Sequence, residues 1–503
     1  MRTSRRDFTL ALCAGAAMGA RPRGVHGQPA DRPSFVVFLS DDLGYGDLGC
    51  YGHPINRTPH LDRFATEGMR FTDGHAASTV CSPSRAALLT GRHPYRLGIY
   101  YLLENGVHLR RQEVTIASLV RRQGYDTCFV GKWHVSRLGE SSGGQPTPQD
   151  HGFDHWFATE HNAFDGPENP GRFFRNGAPV GPVTGWYCDV IVEEALAWLR
   201  RRPNPSRPFL LFVNSHEPHT PVRPPDRYSA AYDTEQVDGL ERSVAYGGEA
   251  RPAASGTAHL KKHYYGTITQ LDAAFGTLMQ GLDDLGLRER TLALFTSDNG
   301  PETPITPQEE AGVGDPLRDR SFGTPGPLRG VKRYVYEGGH RIPLIVRWPG
   351  RVRAGAVSHH LVNGTDLLPT LAALAAAPLP GERTIDGVDV SPVLAGGSVT
   401  RPIPACWTFP ARYHHLPHIA MREGDHSLVG WMVAKRPDQR WMGWIKTTTL
   451  ERSELYDLRN DIGQRHDLAR QDPERHDRLR RQLIELWAGI QADAPVWEEW
   501  LGR

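Results

Sequence analysis

Five short runs of apolar, β-favouring residues recur along the chain, and each breaks off at a polar or charged cluster. The first, residues 34–40 (Ser-Phe-Val-Val-Phe-Leu-Ser), is continuous rather than alternating, as in a strand buried on both faces, and it ends at Asp41-Asp42. Residues 125–130 lead into Gly131-Lys132-Trp133-His134, residues 208–213 into Asn214-Ser215-His216, and residues 291–295 into Ser297-Asp298-Asn299-Gly300. The fifth run, 342–346, ends at Arg347-Trp348-Pro349-Gly350. Helical patterns fill the intervals at 58–68, 114–124, 190–202 and 259–285. This alternation predicts an α/β domain with a largely parallel sheet flanked by helices. Ligands of such sheets bind beyond the carboxyl ends of the strands, so all five polar clusters are expected to line one crevice.

The texture changes after about residue 400. Segments 405–409, 419–421 and 427–433 read as short antiparallel strands, followed by Glu454-Leu455-Tyr456-Asp457-Leu458 and a helix over 473–492. The expected organisation is a large α/β domain over 31–395 and a small C-terminal α+β domain with an antiparallel sheet over 396–503. Stretches 140–150, 165–185 and 300–327 are rich in Gly and Pro and read as long loops, which over a crevice are often functional.

Composition narrows the classes. The chain has 503 residues, 39% hydrophobic, enough for a large core and a second domain. A net charge of +1 gives no support for a nucleic-acid or membrane-surface binder. Six cysteines in this length are no disulfide framework, and no apolar run is long enough for a membrane anchor. Ser4-Arg5-Arg6-Asp7-Phe8-Thr9-Leu10 is a twin-arginine pattern ahead of a modestly apolar run. Residues 1–30 therefore read as a cleaved signal for the Tat export machinery, which moves folded proteins to the periplasm or beyond. Leu12 before Cys13 argues against a lipid anchor.

The candidate chemistry centres on Cys81-Ser82-Pro83-Ser84-Arg85, which runs into Ala86-Ala87-Leu88-Leu89-Thr90-Gly91-Arg92. A proline in a first helical turn forfeits no hydrogen bond, so Cys81 is expected at a helix N-terminus, where backbone N–H groups favour anions. Arg85 adds a forked cation one turn on. Alone, Cys81 would be a small buried hydrophobe. Asp41, Asp42, Asp298 and Asn299 supply hard oxygen donors, suited to Ca²⁺ or Mg²⁺ and not to zinc. Each pair alone would more often cap a helix or start a turn. Lys132 and His134 lie two residues apart on one side of an extended backbone. His216 follows another strand, and Lys332 precedes Tyr336-Glu337-Gly338-Gly339.

The run from Cys81 to Arg92 resembles the signature of the sulfatase family. Segments 41–47 and 297–300 are similar to that family's two metal-binding segments. The resemblance covers residues 35–395 well and the C-terminal part weakly, and is closest to arylsulfatases and N-acetylgalactosamine-6-sulfatase-like enzymes. It implies an alkaline-phosphatase-like fold and a sulfuric ester hydrolase acting on a sulfated carbohydrate or an aryl sulfate. It also implies that a formylglycine-generating maturation enzyme oxidises Cys81, and that one hydroxyl of the hydrated aldehyde attacks sulfur. One cation, calcium before magnesium, would lie among Asp41, Asp42, Asp298 and Asn299, against residue 81. By the same resemblance, Arg85 and Lys132 hold the formylglycine and sulfate oxygens, and His216 and Lys332 face the ester oxygen. His134 takes the proton of the second hydroxyl, which expels sulfate. His151 and His219 match common family positions that also suit structural roles. Asp47 lies outside the ligand set, and His161 and Asn162 are pocket candidates by loop position alone. Two rivals remain: a phosphonate or phosphate-ester hydrolase of the same superfamily, and a non-catalytic relative that binds sulfated glycans. The segments around Lys132 and Lys332 weigh against the first, and retention of Cys81 against the second.

Overall fold

The computed structural model describes residues 32–103, 106–139, 142–232, 258–303, 321–410 and 417–497. The export signal expected over residues 1–30 lies outside them.

A ten-stranded mixed sheet forms the centre. Strand Ser34–Ser40 pairs in parallel with Phe209–Asn214 on one side and Thr291–Ser297 on the other. Asp126–Lys132 extends the parallel set beside Phe209–Asn214, followed by His155–Thr159. Successive side chains of the first strand part to opposite faces. Phe35, Val37 and Leu39 join an apolar cluster with helices Cys81–Thr90 and Ile116–Arg122. Val36 and Phe38 join another, with helices Pro59–Glu67, Tyr187–Arg201 and Ala258–Asp284. Burial on both faces is why the sequence reads as a continuous apolar run.

Two expectations need correction. Strand Leu344–Arg347 runs antiparallel to Thr291–Ser297, with Arg347 opposite Ala293. Its polar end therefore lies at the opposite end of the strands, where Arg347 pairs with Glu67, and four polar clusters, not five, reach the crevice. The stretch 165–185 is not all loop: Phe173–Arg175 and Ala178–Gly181 form a hairpin that closes one sheet edge.

A separate four-stranded antiparallel sheet is built from Ala405–Phe409, His418–Glu423, His426–Met432 and Leu450–Asp457. Helix Pro473–Asp493 places Leu479, Leu483, Trp487 and Ile490 in the same apolar cluster as Leu88 and Leu89 of the cysteine-bearing helix. Core packing is thus continuous across residue 395. All five described cysteines are free, and no helix among the described residues is long and apolar enough to cross a membrane.

Candidate active site

The crevice begins where parallel strands stop. Asp298 N–H donates to the Ser40 carbonyl and Ser215 N–H to that of Leu39, which locks three strand ends in register. Gly131 (φ 100°) lets the chain turn beside Asn214, where a Cβ would come within 1.9 Å of the Asn214 carbonyl oxygen. Helix Cys81–Thr90 is buried along its whole length and aims its N-terminus at these strand ends.

Three carboxylates and three cations interlock there. Arg85 donates to Asp298 Oδ2 through Nε at 2.8 Å and to the Lys132 carbonyl through Nη1 at 3.0 Å. Lys132 Nζ donates to Asp41 Oδ2, which also accepts from Asn162 Nδ2 at 2.7 Å. Lys332 Nζ donates to Asp42 Oδ2 at 2.7 Å, and Asn299 Nδ2 to Asp42 Oδ1 at 2.7 Å. The Cys81 thiol lies 3.7 Å from Asp41 Oδ1. Eight of the ten residues picked from the sequence therefore form one connected, buried cluster. His216 joins it through Asn162, whose Nδ2 lies 3.2 Å from His216 Nδ1. His134 follows Lys132 by two residues at φ 53°, with Nδ1 buried and lacking a partner among the described residues.

The cluster fits a hard divalent cation. Ligand-type atoms of Asp41, Asp42, Cys81 and Asp298 lie within 4.8 Å of one another. The Asn299 side-chain oxygen is buried with no hydrogen-bond partner, an orphaned acceptor beside that group. Burial, then the Asp41 charge, pushes Asp298 up to about 6, and burial raises Asp42 despite Lys332. Burial also works against charge on Asp41, but Lys132, His219 and Arg85 hold its carboxyl well below the usual range. A set of oxygen donors that includes carboxylates held against their own preference, plus one unmet lone pair, is what a hard cation would relieve.

Protonation follows burial. Burial pushes the Cys81 thiol up to about 12, so an unmodified thiol here is a poor nucleophile at neutral pH. It holds His216 down to about 3 and, with the Lys132 charge, His134 well below its ordinary value, so both rings are neutral. Burial opposes the charge on Lys332, but Asp42 holds it well above the ordinary lysine range, keeping it a cation.

Neighbours settle into distinct places. Asp47 accepts from Gly44 N–H, Thr324 N–H and Tyr264 Oη and bridges loops. His151 packs against Trp133, away from the cluster. His219 Nε2 lies 3.5 Å from Asp42 Oδ2. Glu302, outside the residues expected from the sequence, bridges Lys332 (3.3 Å) and Arg333 (2.8 Å) with its carboxylate. The adjacent cations Lys332-Arg333 were the available signal. Asn162 was reached only by loop position, although it links Asp41 to His216.

Comparison with known proteins agrees with this geometry. The sulfatase family profile matches residues 33–377, and the profile described as N-sulphoglucosamine sulphohydrolase, C-terminal, matches residues 331–489. Human arylsulfatase A is 37% identical over 420 residues, covering 78% of this chain and 71% of that protein. N-acetylgalactosamine-6-sulfatase of Canis lupus familiaris is 34% identical over 417 residues, covering 77% and 70%. Among solved structures, Ps i-CgsB in complex with k-i-k-neocarrahexaose superposes with a TM-score of 0.72 at 24% identity, covering 92% of this chain and 94% of that one. Over most of its length, and through the segments that build the buried cluster, the chain belongs to the sulfatase family and is a sulfuric ester hydrolase.

Proposed function

We propose that this enzyme is an exported, calcium-dependent sulfatase in which residue 81 acts as formylglycine on a sulfated carbohydrate or aryl sulfate. The observation that carries the reading is the convergence of residue 81, three buried cations and the Asp41–Asp42–Asp298–Asn299 donor set at one helix N-terminus. The inert character of the buried thiol supports the need for oxidation. When present, the hydrated aldehyde supplies an oxygen nucleophile and the cation supplies Lewis-acid polarisation of a sulfate oxygen. The cation would be held by Asp41, Asp42, Asp298 and Asn299.

The chain's own residues do the rest. Arg85 and Lys132 hold the anionic oxygens, and because both are buried and pre-positioned, little reorganisation accompanies charge transfer. His216 Nδ1 accepts from Ala163 N–H at 3.3 Å, which leaves the hydrogen on Nε2. That Nε2–H lies 3.4 Å from the Pro221 carbonyl, a long contact it would exchange for the departing alcohol oxygen, which the Lys332 ammonium also stabilises. Neutral His134 offers Nδ1 to a proton, a role worth typically about 10²–10⁴-fold. The twin-arginine pattern at Ser4–Leu10 supports export after residue 81 has been modified in the cytoplasm. The names of the arylsulfatase and N-acetylgalactosamine-6-sulfatase relatives support the substrate class. The test is kcat/KM on 4-nitrophenyl sulfate against an aryl phosphonate monoester. Preference for the sulfate is expected, and preference for the phosphonate would overturn the assignment.

A further inference from the structure

Loop 160–166 leaves the catalytic cluster with three rings in file. The His134 ring, buried in the site, meets the His161 ring edge to face at a centroid distance of 5.2 Å. His161, partly exposed and held by Glu160 at 2.6 Å, meets Phe164 at 6.2 Å. Phe164 is 60% exposed and is the one aromatic side chain in the exposed class among the described residues. A lone exposed apolar side chain is ordinary on a protein surface, so exposure alone assigns nothing. Position does.

The same loop touches His216, the ring assigned above to the leaving alcohol. Asn162 Nδ2 and Ala163 N–H both lie against His216 Nδ1, and Phe164 is the next residue. Phe164 N–H donates to the Asn162 carbonyl at 2.9 Å, a tight turn that ties the Phe164 backbone to Asn162 and, through the Asn162 side chain, to Asp41. The loop thus anchors at the sulfate end and presents two rings, His161 then Phe164, on the way out. An apolar ring face beside a few fixed polar groups is the usual make-up of a small-molecule subsite.

We propose that His161 and Phe164 form the wall of a leaving-group subsite that takes the apolar face of a six-membered ring carrying the sulfate. Both an aryl ring and a pyranose present such a face, so the chemistry is shared and the experiment separates the two. The inference rests on the sulfatase reading of the site and names the shape of the alcohol it releases. Ring-on-ring contact of this kind beyond simple burial corresponds to about a 2- to 10-fold change in affinity.

The test uses Cys81→Ala and Cys81→Ala/Phe164→Ala, both supplied with calcium, with binding read by calorimetry. The probes are 4-nitrophenyl sulfate, galactose 6-sulfate and ethyl sulfate. The ring-bearing probes are expected to lose about 2- to 10-fold in affinity on removal of Phe164, and ethyl sulfate to be unchanged. A loss confined to 4-nitrophenyl sulfate assigns the wall to aryl rings; one confined to galactose 6-sulfate assigns it to sugars. Equal losses for all three probes, or none for either ring, overturn the proposal. A second readout is the kcat/KM ratio of wild type to Phe164→Ala on 4-nitrophenyl sulfate, where Phe164→Tyr should restore the wild-type value. Failure of the sulfatase reading shows separately, as wild-type protein that does not turn over 4-nitrophenyl sulfate.

Discussion

Among the described residues, two buried clusters bring metal-ligand side chains within 4.8 Å of one another, and they differ in how their charges are met. The first is the Asp41–Asp42–Cys81–Asp298 group at the strand ends. The second joins His75, Glu337 and His340 beneath the four-stranded sheet. There Arg422, from strand His418–Glu423, donates to both oxygens of Glu337 at 2.9 and 3.0 Å and to Asp73 Oδ2 at 3.1 Å. His75 bridges Asp73 and His340 at 2.8 and 2.9 Å, and the His340 ring stacks on Trp407 at 3.8 Å. No side-chain atom of His75, Asp73, Glu337, His340 or Arg422 is left buried without a partner. Burial works against both carboxylates, yet Arg422 and then His75 hold Asp73 well below the usual range and Glu337 down to about 2. In the first cluster Asp42 and Asp298 are pushed up and the Asn299 oxygen is orphaned. The residue types nearly coincide. What separates a structural network from a reactive one is whether its charges and lone pairs are met from within.

The sharpest way to break that contrast is at residue 81. Cys81→Ala should lower kcat on 4-nitrophenyl sulfate by about 10⁴-fold or more while leaving the urea midpoint near wild type. Substantial residual turnover would refute the nucleophile assignment. Arg422→Met is the mirror experiment. It takes the fully buried cation from between two buried carboxylates, leaving them to Arg341 and His75, and should cost about 3 kcal/mol in urea unfolding. Asp42→Asn removes a carboxylate held against its preference but leaves the Lys332 ammonium to Glu302, so stability should fall by less than in Arg422→Met while turnover falls steeply. The wild-type melting temperature should rise on adding calcium, by the equivalent of about 2.7 kcal/mol at a hundredfold excess over Kd. Asp42→Asn should lose that response and Arg422→Met should keep it; the reverse pattern would place the cation in the wrong cluster.

The smallest effect is in acid. Glu337 is held at about 2 in the folded protein against an ordinary 4.5. A depressed carboxyl contributes stability that is complete above the unfolded value and is lost as pH falls toward the folded one. Wild-type stability should therefore fall between about pH 5 and pH 3, and the Arg422→Met profile should be flatter over that range. Parallel profiles would show that Arg422 does not set the Glu337 charge.

Much of the first cluster was legible in the sequence, because strand ends announce themselves. A continuous apolar run that stops at Asp41-Asp42 or Ser297-Asp298-Asn299 fixes where those side chains emerge. The sense of strand Leu344–Arg347 was not legible, since an apolar run carries no direction, and its reversal removed Arg347 from the crevice. The hairpin over Phe173–Arg175 and Ala178–Gly181 was hidden by its Gly and Pro content. The second cluster was illegible for another reason. Arg422 and Asp73 lie 349 residues apart, and neither sits in a segment whose local pattern suggests a partner. The orphaned oxygen of Asn299 is likewise a property of the assembled site.

The account rests most heavily on the chemical state of residue 81, and peptide mass spectrometry of the purified, active enzyme reads that state directly. The peptide containing residue 81 should carry an aldehyde in place of the thiol, in a fraction that tracks specific activity across preparations. Fully active protein with an unmodified cysteine at that position would contradict it.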